Sequence, residues 1–237
     1  MRGEDFTAEN ITFQNDFYRT NKQEEMSAGR QEDRSAGAPA LTLLGDRNII
    51  RNVRVVGDEG TLYVGSKNCA DSTGAACEPA RSYFNRCFVS GNAGFIEGDG
   101  TAYFDDCDIH STDRAGGGFI TAQGKHYAAQ SSVFVFRNCR FTADPGVSNV
   151  VLGKPWRDFS SVVLLNPQLG AHIAPAGWRE WQPGATHRLE TAFFRVFKPS
   201  GAGAATASLQ LSPEEVARYS PHDVLSGKDK WNPAGGK

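Results

Sequence analysis

Apolar residues recur along this chain in a fixed local order. Ala8-Glu9-Asn10-Ile11-Thr12-Phe13, Ile50-Arg51-Asn52-Val53-Arg54-Val55, Phe84-Asn85-Arg86-Cys87-Phe88-Val89 and Phe136-Arg137-Asn138-Cys139-Arg140-Phe141 each read apolar, polar, polar, small apolar, any residue, apolar. The run from Tyr103 to Ile109 is another copy, and Tyr103, Cys107 and Ile109 share a parity that predicts one strand face. The small apolar positions are Ile11, Val53, Cys87, Cys107 and Cys139, at spacings of 42, 34, 20 and 32 residues. Val163 to Leu169 is a weaker copy. Recurrence at roughly 20–45 residues marks a stacked-repeat architecture. The units are strands and turns with almost no helical periodicity, so the pattern predicts an all-β solenoid with those five side chains in one interior row. An antiparallel sandwich is the alternative, and the apolar register kept through five copies argues against it.

The same pattern predicts strands within 1–15 and near 49–56, 61–64, 83–89, 94–96, 101–109, 118–122, 132–141, 149–152 and 161–165. Residues 16–38, 65–80 and 153–160 read as loops, rich in polar and turn-forming residues. Ser212-Pro213-Glu214-Glu215 is a helix start, with Ser as N-cap, Pro at the first helical position and Glu at the third. That helix is expected to be short, to end before Pro221 and to pack over the solenoid.

Composition narrows the picture. The 237 residues include no linker between packed units, so a single domain over 1–237 is expected. Charged residues are 22% and the formal net charge is −2, which gives no basic excess for nucleic acid. No apolar run is long enough to span a membrane. The opening MRGEDFTAEN carries no signal peptide and begins almost at once on a repeat strand, so the chain is expected to lack its first coils. Of five cysteines, Cys87, Cys107 and Cys139 read as buried small hydrophobes, with no spacing that suits a metal. Cys69 and Cys77 flank a polar insertion. In an oxidising compartment a disulfide closing that loop is favoured, with two free thiols as the alternative.

Several stretches resemble the pectin methylesterases of carbohydrate esterase family 8, especially the bacterial ones. They are NITFQN at 10–15, GDRNIIRNVRVVG at 45–57, ITAQGK at 120–125, LGKPWRDFS at 152–160 and GAHIAPAGWREW at 170–181. The resemblance runs from residue 4 to residue 233. It implies a right-handed parallel β-helix, the pectin-lyase-like solenoid. It also implies a monomer acting on pectin or a related polyuronate, secreted or periplasmic, with no cofactor, nucleic-acid or membrane partner.

That family attacks the methyl ester of galacturonate with one aspartate, uses a second as acid and base, and aims two glutamines at the oxyanion. An arginine holds the nucleophile. Such chemistry needs a carboxylate pair with separated pKa values and donors for the developing charge. Carried over through the resemblance, the nucleophile of the family's DFIFG falls on Gly94. The acid/base of QDTLY falls on Gly60, with the glutamine before it on Glu59. The glutamine of QAVAL falls on Gly37, and the arginine of LGRPW on Lys154. All five positions differ from the family pattern.

Among neighbours, Glu97 and Asp99 lie three and five residues from Gly94, and strand alternation predicts that both face away. Asp58 lies two before Gly60, with matching parity, about 6.5 Å along a strand, and is the candidate for a displaced acid or base. Lys154 keeps a positive charge without the bidentate fork of arginine. Trp156 and Trp178 match tryptophans of the family's sugar groove, where aromatic faces suit sugar rings. His126 and Tyr127 are candidates for the same groove, or an ordinary solvated loop. The expected function is therefore a pectinesterase-family protein whose inherited mechanism is disabled. A non-catalytic pectin-binding module and a thioester hydrolase on the same fold are the alternatives. The added Glu59 and Glu97 are expected to disfavour anionic, de-esterified galacturonate.

Overall fold

The computed structural model of the chain describes residues 1–17, 39–67, 78, 80–112, 118–204 and 209–235. Its strands run in chain order through three parallel sheets, coil after coil. β1 (Thr7–Glu9), β4 (Asn48–Arg51), β7 (Arg81–Asn85), β10 (Thr101–Asp105), β13 (Phe134–Arg137), β16 (Ser161–Leu165) and β18 (Phe193–Phe197) form the first sheet. β2 (Thr12–Gln14), β5 (Arg54–Val56), β8 (Phe88–Gly91), β11 (Asp108–Ser111), β14 (Arg140–Ala143) and β17 (Gln168–Leu169) form the second. β3 (Leu41–Leu43), β6 (Leu62–Val64), β9 (Ala93–Gly98), β12 (Phe119–Gln123) and β15 (Val151–Gly153) form the third. Among the described residues every pair of strands is parallel, and the chain is a right-handed parallel β-helix. Among the described residues no helix is long and apolar enough to cross a membrane.

The repeated motif is a corner rather than a strand. Between the first and second sheets each coil turns through one residue in the left-handed region. These are Asn10, Asn52, Arg86, Asp106, Asn138, Asn166 and Lys198, with φ from 46° to 55°. Asn and Asp tolerate this conformation best because their short polar side chains bond locally. Here they also bond from coil to coil: Asn52 Nδ2 donates to Asn10 Oδ1 at 2.6 Å and Asn166 Nδ2 donates to Asn138 Oδ1 at 3.1 Å. The weak copy at 163–169 is a full coil corner at Asn166, and Lys198 makes another after β18.

The corner corrects the expected face of Tyr103. A left-handed residue at Asp106 resets the alternation, so Phe104, Cys107 and Ile109 point inward and Tyr103 points out. Phe104 stacks between Phe84 and Phe136 with ring centroids 4.5 Å from each, as in-register parallel strands require. Tyr103 is covered by the C-terminal segment, and its hydroxyl donates to Tyr219 O at 2.8 Å.

Val53, Cys87, Cys107 and Cys139 form the interior row that was expected, all buried and none disulfide-bonded. Hydrogen bonding to Cys107 and burial push the Cys87 thiol up. Ile11 is the exception. Its carbonyl is in register, accepting from Arg54 N at 3.0 Å, yet its side chain is 49% exposed because it stands at the end of the row.

The expected C-terminal helix is α1 (Pro213–Val216), closed by the reciprocal Ser212–Glu215 capping box and followed by a 3-10 turn over Ala217–Tyr219. A second short helix, α2 (Pro221–Leu225), starts on Ser220 as N-cap, whose hydroxyl accepts from Asp223 N, with Pro at its first position. Leu211, Val216, Tyr219 and Leu225 cover Tyr83, Tyr103 and Val163 on the outside of the first sheet. Cys69, Cys77 and Gly37 lie outside the described residues.

Candidate functional site

The outer face of the third sheet carries the expected site. Parallel register sets Tyr63 beside Glu97 and Glu97 beside Ala122. Lys154 follows β15, and its amide donates to Thr121 O at 3.0 Å. The two glycines of interest sit at the entrance to this sheet, both left-handed: Gly60 at φ 57° and Gly94 at φ 52°.

Gly94 creates a bulge. Ala93 pairs with Phe119 but Ile96 pairs with Thr121, so β9 carries one residue more than β12 over that span. Phe95 and Ile96 consequently both enter the core. Glu97 then emerges on the outer face with Tyr63 and Ala122. A β-carbon on Gly94 would lie 3.8 Å from Ala122 Cβ, so positions 94, 97 and 122 share a face. This overturns the expectation that Glu97 faces away from Gly94, because alternation fails across a left-handed residue.

Neighbouring side chains crowd both glycines. A β-carbon on Gly60 would stand 2.9 Å from Glu97 Oε1. A β-carbon on Gly94 would stand 2.8 Å and 2.9 Å from two ring atoms of Phe119. Phe119 meets Trp181 edge-on, with centroids 6.0 Å apart, and the Lys154 ammonium lies 4.9 Å from the Phe119 ring centre. Further along, the Trp156 ring covers Gly124, where a β-carbon would come within 2.7 Å of it, and the Arg157 guanidinium lies 5.3 Å from the indole.

The charges follow from this packing. Burial, and then the negative charge of Glu59, push the Glu97 carboxyl up to about 7. Burial, Asp99 and Glu97 push the Tyr63 phenol up to about 12, with Arg157 acting in the opposite sense. Glu59 is placed by a bridge to Ala93, beside the Gly94 bulge. This face of the sheet thus carries one carboxyl group raised toward neutrality, two cations, and aromatic rings of the kind that suit an apolar sugar face.

Other candidates are placed elsewhere. Asp58 lies in the turn ahead of β6, where strand parity does not apply. Its carbonyl accepts from Asn92 N at 3.0 Å, and its carboxylate lies 3.5 Å from Asn92 Nδ2. Trp178 is 6% exposed and packs against Phe194 with ring centroids 4.5 Å apart and planes tilted by 35°, inside the core, so it offers no groove wall. His126 Nε2 lies 3.0 Å from Asp99 Oδ2 with both side chains 8% exposed, a buried pair at the corner after the third sheet. Tyr127 is 38% exposed and lines a separate cavity of about 220 Å³ with Ser66, Thr101, Gln130 and Ser132. Of the expected groove residues, Lys154 lies against the Phe119 ring that faces Gly94, and Trp156 lies further along the sheet, over Gly124. Sequence reasoning missed Phe119, Trp181 and Tyr63, and the bulge that turns Glu97 outward is seen only in the pairing of β9 with β12.

Comparisons with known proteins bear on this groove. The family model described as Pectinesterase matches residues 1–210. Pectinesterase 31 of Arabidopsis thaliana is 29% identical over 95% of this chain and 62% of its own length. Pectin methylesterase PemA from Erwinia chrysanthemi superposes with a TM-score of 0.76 at 28% identity, over 98% of this chain and 72% of that one. A pectin methylesterase solved in complex with a hexasaccharide gives 0.74 at 28%, over 99% and 73%. The chain spans between about a third and two thirds of the length of the curated relatives it matches. A match over residues 1–210, on a coil order shared with solved pectin methylesterases, means that the chain belongs to the pectinesterase family.

Proposed function

We propose that this chain engages methyl-esterified polygalacturonate along the third sheet, outside the cell or in the periplasm, without the covalent aspartyl step of its family. The observation that carries the reading is the Phe119 ring, two atoms of which lie 2.8 Å and 2.9 Å from where a β-carbon at position 94 would stand. A nucleophile there would have to displace an aromatic ring that is held by Trp181 and faced by Lys154. Trp156 supplies the aromatic platform that persists, and the hexasaccharide complex of a related esterase shows that the fold's relatives accept an oligosaccharide. Loss of a covalent nucleophile typically costs several orders of magnitude in rate. The test pairs two measurements on the full chain. Methanol release from highly methylated pectin is expected to fall orders of magnitude below that of an aspartate-bearing relative, while retention on immobilised methylated pectin persists and weakens in Trp156→Ala. Release at about 1–1000 per second, the ordinary enzyme range, would sink the reading, as would no retention at all.

A further inference from the structure

Glu97 is not a position at which the family pattern quoted above carries an acid; DFIFG has an apolar ring there. In this chain the residue is fixed on both sides, since β9 pairs with β6 and with β12. Its carboxyl oxygen reaches into the space beside Gly60, on the neighbouring coil. Burial and Glu59, from the turn ahead of β6, act on it, and it acts in turn on Tyr63 on β6, together with Asp99 and Arg157. Ala122 on β12 presents no charge. Beyond Ala122 stands Lys154, against Phe119.

We propose that Glu97 is the acid–base group of a slow, water-driven ester hydrolysis in this groove, acting from the space that Gly60 leaves open. The inference rests on the reading above, in which methyl-esterified polygalacturonate lies along the third sheet, and adds that a neutral methyl ester meets Glu97 there. Ionised Glu97 takes a proton from a water molecule while the water oxygen bonds to the ester carbonyl carbon. The carbonyl π electrons move to oxygen, with the Lys154 ammonium as the positive charge on that wall. As the tetrahedral species collapses, the C–O bond to methoxide breaks, and Glu97 returns the proton to the methoxide oxygen. One water and one ester give methanol and a free carboxyl group, and no covalent enzyme species forms. Glu59 is a positioning residue that acts through Glu97. Its negative charge helps keep the carboxyl close to the pH at which it can both accept and return a proton, the condition for efficient acid–base catalysis.

The experiment follows methanol release from highly methylated pectin between pH 5 and 9, against a protein-free blank, with retention on immobilised pectin measured in parallel. Wild-type release is expected to rise with pH as Glu97 ionises, with a midpoint near 7. Glu97→Gln is expected to lower release by about a hundredfold or more, the usual range for a lost acid–base group, with retention unchanged. Glu59→Gln is expected to move the midpoint to lower pH, which a merely structural role would not do. Retention without any release above the blank overturns this inference and leaves the binding reading intact. Release by Glu97→Gln at the wild-type rate also overturns it. Absence of retention removes the binding reading, and this one with it.

Discussion

Glu97 and Gly60 meet across neighbouring coils, with a carboxyl oxygen of Glu97 2.9 Å from where a β-carbon at Gly60 would stand. The contact exists because Gly94, three residues earlier, is left-handed and bulged. Gly94 and Gly60 are therefore linked in space. One aims the carboxyl group outward, and the other leaves the room it occupies.

Restoring aspartates at the two glycines is therefore not a simple reversal. Gly94→Asp meets the Phe119 ring and is expected to cost about 1–3 kcal/mol, the usual range for overpacking. The Phe119→Ala background should remove the steric part of that penalty, because the ring is the far end of a side chain and not backbone, and leave the cost of a β-carbon at φ 52°. Urea denaturation of the two single variants and the double variant gives the coupling. Equal losses with and without Phe119 would show that the ring is not the obstacle.

Glu97 also predicts a pH dependence of stability. Its folded pKa is about 7 and its ordinary value 4.5, so between those pH values the folded state holds more protons than the unfolded state. Stability from this group is therefore fully present below about pH 4.5 and falls as pH rises towards 7, by at most about 1.4 kcal/mol per pH unit. Glu97→Gln removes this slope. Compared with wild type, the variant should gain more stability at pH 8 than at pH 5 in denaturant titrations, and the opposite order would contradict the burial of this carboxyl group.

The corner residues make a third prediction. Asn138 is left-handed and accepts from Asn166 Nδ2 while donating to Asp106 Oδ1 at 3.3 Å. Asn138→Ala keeps a β-carbon in a conformation that costs roughly 1–2 kcal/mol and removes both bonds. Asn138→Gly removes the bonds but relieves the backbone, so it should be the milder change. Thermal melts of the two variants decide the point, and an Ala variant as stable as the Gly variant would mean that the corner carries no strain.

Much of the architecture was legible along the chain. The motif with Val53, Cys87, Cys107 and Cys139 at its small position names the interior row, and Ser212 with Glu215 names the first C-terminal helix. Repeats are readable because each coil solves the same local problem, turning one corner with a polar residue and burying the next. The glycines at 60 and 94 were likewise visible as departures from the resembled family's motifs. Alternation, however, holds only while the backbone stays extended. One left-handed residue at Asp106 turned Tyr103 outward, and another at Gly94 turned Glu97 toward the groove. What fills the volume beside a missing side chain comes from other coils. Phe119 lies 25 residues from Gly94, and Glu97 lies 37 from Gly60. Those neighbours, and the burial of Trp178 against Phe194, are set by the stacking of coils at the sheet spacing, which no local pattern of residues contains.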